Sequence, residues 1–195
     1  MSTAAKTRTP EADVNELFIN RWSPRAFSGE PLSEKQVRSL IEAAKWAPSC
    51  YNSQPWRIVY ARKGTGSWNK LFNLLVPFNQ SWAKESGALF VFLSRTHFEH
   101  NDQPNAAHAY DTGAAWMSLA LQAAAMGLAA HGMGGFDHER ARADLDVPEG
   151  YEVQAMAAVG VPADKIKLPE ELRAQEAPSG RKRLAEIAFA GKFIA

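Results

Sequence analysis

The chain has 195 residues, 46% of them hydrophobic and 22% charged, enough for one well-filled core, and it reads as a single domain over residues 1–195. Its 22 Lys and Arg stand against 21 Asp and Glu; a net charge of +1 excludes a globally basic surface for nucleic acid or an anionic membrane, so any positive patch has to be local. The single cysteine, Cys50, excludes an internal disulfide framework, and the N-terminal stretch MSTAAKTRTPEAD lacks the apolar core of a signal peptide, so a cytoplasmic protein is expected.

Val14, Leu17 and Phe18 share helical spacing, which predicts a short helix stopping near Asn20, ahead of the Ser23-Pro24 break. The string RWSPRAF at 21–27 then sets Arg21 and Arg25 on either side of that pair. Guanidinium forks beside a hydroxyl suit a phosphate, since each fork can donate two parallel hydrogen bonds. A solvated helix end carries arginines too, so this string alone leaves both readings open. Ser33 with Gln36 has the form of a capping box, and Val37, Leu40, Ile41 and Ala44 mark one helix face until Pro48. PSCYNSQPW at 48–56 crowds Ser49, Asn52, Ser53 and Gln54 between two prolines. Amides offer donor and acceptor together, as the edge of a heterocycle requires; an ordinary Asn/Pro turn is the plainer alternative.

WRIVYAR at 56–62 alternates and is rich in β-formers, which predicts a strand, closed by the turn GTGS. Short helices are expected at 68–75 and 81–85, on either side of Pro77. ALFVFLS at 88–94 is an unbroken apolar run and predicts a central strand; the polar segment 95–106 predicts a surface loop. A long Ala-rich helix is expected from about His108 to Ala130, then a turn GMGG at 132–135, a polar helix over 137–145 and a strand over 152–161. Asp111, Thr112, Ser118 and Gln122 interrupt the Ala-rich stretch, which argues against a membrane span and for a helix in the core of an oligomer. The tail, with RKR at 181–183 and FAGKFIA at the end, cannot bury its own apolar residues and is expected to lie on another surface, such as a partner subunit's. No dinucleotide-binding or P-loop glycine motif occurs, and His97, His100 and His108 fit no compact zinc spacing, so no metal site is expected.

Taken together, these strings resemble the nitroreductase family of flavoproteins. That family places R-x-S-x-R near the N-terminus, then P-S-x-x-N-x-Q-P-W, N-x-x-W, a turn ending G-F-D, and a C-terminal basic residue. The matching positions are Arg21, Ser23 and Arg25; Pro48 to Trp56; Asn79 and Trp82; Gly134 to Asp137; and Arg181, for which Arg183 competes. The resemblance covers residues 14 to about 187. It implies an α+β fold with a central, mainly antiparallel sheet flanked by helices, and a homodimer with intertwined tails and two FMN sites.

By the same resemblance Arg21, Ser23 and Arg181 hold the FMN phosphate, and Arg25 approaches the ribityl chain and pyrimidine edge. Ser49, Cys50 and Asn52 come from the other subunit, Asn79 reads the ring edge, and Gly134 and Gly135 present N–H groups to N5 and O4. Trp22, Pro48 and Gln54 complete the expected cofactor-binding set. The family often has serine where this chain has Cys50, a departure that weakens one hydrogen bond.

The implied activity is a ping-pong oxidoreductase: NAD(P)H delivers a hydride to the flavin, and a small acceptor such as a nitroaromatic or a quinone takes the electrons. No catalytic side chain is needed for the hydride step, because the cofactor carries the redox chemistry. Phe98, Phe78 and Trp82 are candidates to stack on the acceptor, with packing against neighbouring helices as the equal alternative. The alternatives are a flavin-binding carrier, sensor or flavin-modifying protein without steady NAD(P)H turnover, and a helical module binding an anionic partner.

Overall fold

The computed structural model describes residues 8–194; the start of the MSTAAKTRTPEAD stretch and both extremes of the 1–195 domain assignment lie outside the described residues. A short helix α1 (Glu16–Asn20) is opened by Asn15, whose side chain accepts the Leu17 N–H. Helix α2 (Glu34–Lys45) begins with both halves of the predicted capping box: Ser33 Oγ accepts the Gln36 N–H at 3.2 Å, and Gln36 Oε1 accepts the Ser33 N–H at 2.8 Å. Val37, Leu40 and Ala44 form its buried face.

After strand β1 (Trp56–Arg62) come helices α3 (Trp68–Phe72) and α4 (Pro77–Ala83). The second of these starts at Pro77, earlier than the expected 81–85, because proline at the first helical position forfeits only an N–H that has no intrahelical partner there. Strand β2 (Ala88–Arg95) is followed by the loop over 96–107 and the long helix α5 (His108–Ala125). The Ala-rich helix was expected to run to Ala130, and the structure corrects this. Gly127, at φ +71°, turns the chain, and Ala129–Met133 pairs as strand β3. Gly132 pairs with Ala157 in this strand, and glycine suits the position because the Trp116 ring lies over it; a β-carbon there would meet Trp116 Cζ2 at 3.1 Å. Helix α6 (His138–Asp144), strand β4 (Tyr151–Gly160) and helix α7 (Glu170–Arg173) complete the chain before the tail.

The four strands form one sheet in the order β1-β2-β4-β3, antiparallel at every pairing. This is an α+β architecture. Strand β2 is interior, and alternation sends Leu89, Val91 and Leu93 to one face, against α3, α4 and α6, and Ala88, Phe90 and Phe92 to the other, against α2 and α5. Helices on both faces explain why its sequence is apolar without a break. Each fully buried Phe or Leu of this strand contributes about 1.5–3 kcal/mol. The layers leave two things at the sheet's margins: the segment 21–27 beside the C-terminal tail, and the turn that follows β3.

Candidate functional site

At the first margin three arginines converge. Arg21 Nη1 donates to Ser23 Oγ at 3.3 Å. Arg8 spans α1 and the tail, with Nη1 on the carbonyls of Ile19 and Arg21 and Nε on the carbonyl of Ser179. Arg181 donates to the Ser179 hydroxyl and carbonyl. Burial first, then Arg8 and Arg181, pull the Arg21 guanidinium below its ordinary pKa; burial and then Arg181 do the same to Arg8. Among the described residues none of the three takes part in an ion pair. A group of mutually repelling cations that no carboxylate among the described residues reaches at ion-pair distance is a site suited to an anion.

At the second margin, Asn79 on α4 is buried and its Nδ2 donates to the Gly135 carbonyl at 2.9 Å. The Val76 N–H donates to the same oxygen. Those two bonds pin the turn Gly134-Gly135-Phe136, and the Asp137 side chain then caps α6. Among the described residues the N–H groups of Gly134 and Gly135 donate to nothing, and a β-carbon on Gly134 would meet no atom within 4 Å. The turn therefore offers two free donors, with open space beside Gly134, which fits a flat ring whose heteroatoms accept hydrogen bonds.

The third element is the loop between α2 and β1. Tyr51, Asn52 and Gln54 have φ of 49°, 52° and 45°, a region that costs a non-glycine residue of order 1–3 kcal/mol. It is held by Ser49 Oγ, which accepts the Gln54 N–H, and by the buried carboxylate of Asp111, which accepts the Cys50 N–H at 3.0 Å. Pro48, Tyr51, Asn52 and Gln54 are exposed, turned away from their own core. Tyr51 leans edge-on against Phe98.

Arg25 points inward and lies beside Glu176, while Trp22 lines a groove between α1 and α5 with Leu17, Ala120 and Leu128. Of the three candidates to stack on an acceptor, Trp82 is a correction. It is only 1% exposed, packed between Phe27 and His131, and serves the core. Phe98 and the exposed Phe78 stay at the surface, Phe98 in contact with Tyr51.

The fold thus gathers Arg21, Ser23 and Arg181 at one place and Asn79, Gly134 and Gly135 at another, and sets Pro48, Ser49, Cys50, Asn52 and Gln54 on an outward loop. Between the two competing basic residues, it is Arg181 whose charge acts on Arg21 and Arg8. Sequence reasoning gave Arg8 and Glu176 no role and took Asp111 only as a polar interruption of the Ala-rich helix; none of the three carries a spacing signal.

The domain is thus an antiparallel sheet between helix layers, with one margin suited to an anion and another that carries a glycine turn of free amides. The chain belongs to the nitroreductase family, whose model matches it over residues 19–75 and 68–161. It is 29% identical over 187 residues to an NADH dehydrogenase of Thermus thermophilus, spanning 80% of this chain and 90% of that protein. It is also 29% identical over 180 residues to 5,6-dimethylbenzimidazole synthase of Rhodospirillum rubrum, spanning 80% of this chain and 85% of that one. A crystal structure of an oxidoreductase containing FMN superposes with a TM-score of 0.94 at 43% identity, covering 100% of this chain and 98% of that chain.

Proposed function

We propose that the protein is an FMN-dependent oxidoreductase, working as a homodimer, that takes reducing equivalents from NAD(P)H and passes them to a small acceptor such as a nitroaromatic or a quinone. The observation that carries this reading is the group Arg8, Arg21 and Arg181, which has no carboxylate partner among the described residues. A phosphate monoester supplies the negative charge those cations lack. The similarity to the FMN-containing oxidoreductase supports flavin mononucleotide as the particular phosphate.

When bound, FMN supplies the redox chemistry, accepting a hydride and returning electrons. The chain's own residues bind and orient. Arg21 and Ser23, with Arg8 and Arg181, hold the phosphate; the N–H groups of Gly134 and Gly135 donate to the polar edge of the ring, and Asn79 fixes that turn. Arg25 brings positive charge toward the ring, where charge builds on reduction. The outward loop 48–54 is shaped to reach a partner's site. The tail supports the dimer: Ile187, Phe193 and Ile194 are 59–79% exposed, an apolar end with no cover of its own.

The test is retention of FMN by Arg21→Ala and Arg62→Ala. Arg62 already pairs with Glu34, so its loss leaves FMN affinity unchanged, whereas Arg21→Ala weakens it at least tenfold. Equal affinities would overturn the phosphate assignment, and sedimentation of a stable FMN-holding monomer would overturn the shared site. The similarity to 5,6-dimethylbenzimidazole synthase favours one second reading, in which the bound flavin is altered rather than cycled. Flavin that NADH and NADPH fail to bleach under anaerobic conditions would select it.

A further inference from the structure

Glu176 lies in the segment after α7, amid charged residues that look solvated in the sequence, yet its side chain is 4% exposed. Its Oε1 accepts two backbone donors at once, the Arg25 N–H at 2.6 Å and the Ala26 N–H at 2.9 Å. Its Oε2 stands 4.0 Å from Arg25 Nη1 and accepts no hydrogen bond. Arg25 Nε and Trp82 Nε1 are likewise buried without acceptors. All three unpartnered atoms belong to side chains grouped around His131. Its ring lies 4.7 Å from that of Trp82, its titration feels both Arg25 and Glu176, and its Nδ1 sits 3.0 Å from the Pro24 carbonyl, which can only accept. A buried carboxylate is retained only where something compensates it, and here the compensation is the arginine that the FMN reading aims at the flavin.

We propose that Glu176 is the positioning residue for Arg25: its carboxylate fixes the backbone at Arg25 and Ala26 and draws the guanidinium back from the ring, and so sets how much positive charge the flavin meets. The inference rests on the FMN assignment and adds to it. Glutamine at 176 keeps an oxygen for both N–H groups but removes the charge that draws the guanidinium toward Oε2, so Arg25 is free to shift toward the ring. Glu176→Gln therefore binds FMN within about twofold of the wild type, while the midpoint potential of the bound flavin rises. Glu176→Ala also strands two buried N–H groups and loses FMN affinity, which Glu176→Gln restores.

The experiment is a spectroelectrochemical titration of FMN-loaded wild type, Glu176→Gln, Arg25→Met and the double variant, with circular dichroism as the check on folding. The expected result is a potential raised by Glu176→Gln, lowered by Arg25→Met, and insensitive to Glu176→Gln once Arg25 is methionine. An unchanged potential in folded Glu176→Gln would overturn the inference, as would a rise of the same size with Arg25 already removed, since the carboxylate would then act on the flavin directly. Wild-type protein that takes up no FMN would instead overturn the cofactor assignment, and this inference with it.

Discussion

Alanine at Gly135 places a β-carbon 2.8 Å from Asn79 Nδ2 and 3.1 Å from Val76 Cγ2. The amide cannot swing aside freely, because it is buried and its Nδ2 is committed to the Gly135 carbonyl at 2.9 Å. Overpacking of this kind costs about 1–3 kcal/mol and the strained or lost hydrogen bond about 0.5–1.5 kcal/mol, so Gly135→Ala should destabilise by roughly 2–4 kcal/mol. For a chain of this length that corresponds to a melting point lower by about 10 °C. Gly134→Ala is the internal control, because its β-carbon meets no atom of the chain within 4 Å. It should melt at or slightly above the wild-type temperature, and its penalty should fall on the ligand: a methyl group in front of the ring weakens FMN binding by about 5- to 150-fold. Calorimetry of the flavin-free proteins and fluorescence titration with FMN measure the two effects. A Gly135→Ala protein as stable as the wild type would refute the packing argument, and a Gly134→Ala protein with wild-type affinity would refute the placement of the ring.

Arg8→Ala should weaken FMN binding by about tenfold and reduce its salt dependence, because one of three clustered cations is gone; titrations at low and high salt that match the wild type would contradict this. Asp111→Ala leaves the Cys50 N–H without its acceptor and should cost about 1–3 kcal/mol in urea unfolding, with no change in midpoint as the contrary result. Burial, the largest influence on His131, holds its pKa below the ordinary histidine value. The unfolded chain therefore binds that proton more tightly. The stability from neutral His131 is complete above the unfolded value of about 6.5 and is lost as pH falls through the lower folded value. His131→Gln should flatten that part of the stability profile, and identical profiles would reject the assignment.

Local signals carried much of the fold. The capping box at Ser33 and Gln36 and the apolar run of β2 are written in consecutive residues, and the structure realises both. Strand β3 was hidden because Ala129-Ala130-His131-Gly132-Met133 contains no β-branched residue and continues an alanine pattern; pairing with β4 overrides weak propensity there. The candidate site divides the same way. Motif positions such as Arg21, Asn79 and Gly135 stand out by their neighbours in sequence. Arg8 and Glu176 act across 13 and 151 positions of chain, on Arg21 and Arg25 respectively, and nothing in the sequence around either marks it for that contact.

The left-handed residues Tyr51, Asn52 and Gln54 have a consequence for anyone seeking to harden this protein against heat. Glycine relieves the backbone cost at each of these positions, so a selection that rewards endurance alone would drift toward glycine there. The survivors would keep their fold and lose the rigid outward hook that the loop presents, and a screen blind to chemistry would count them as improvements.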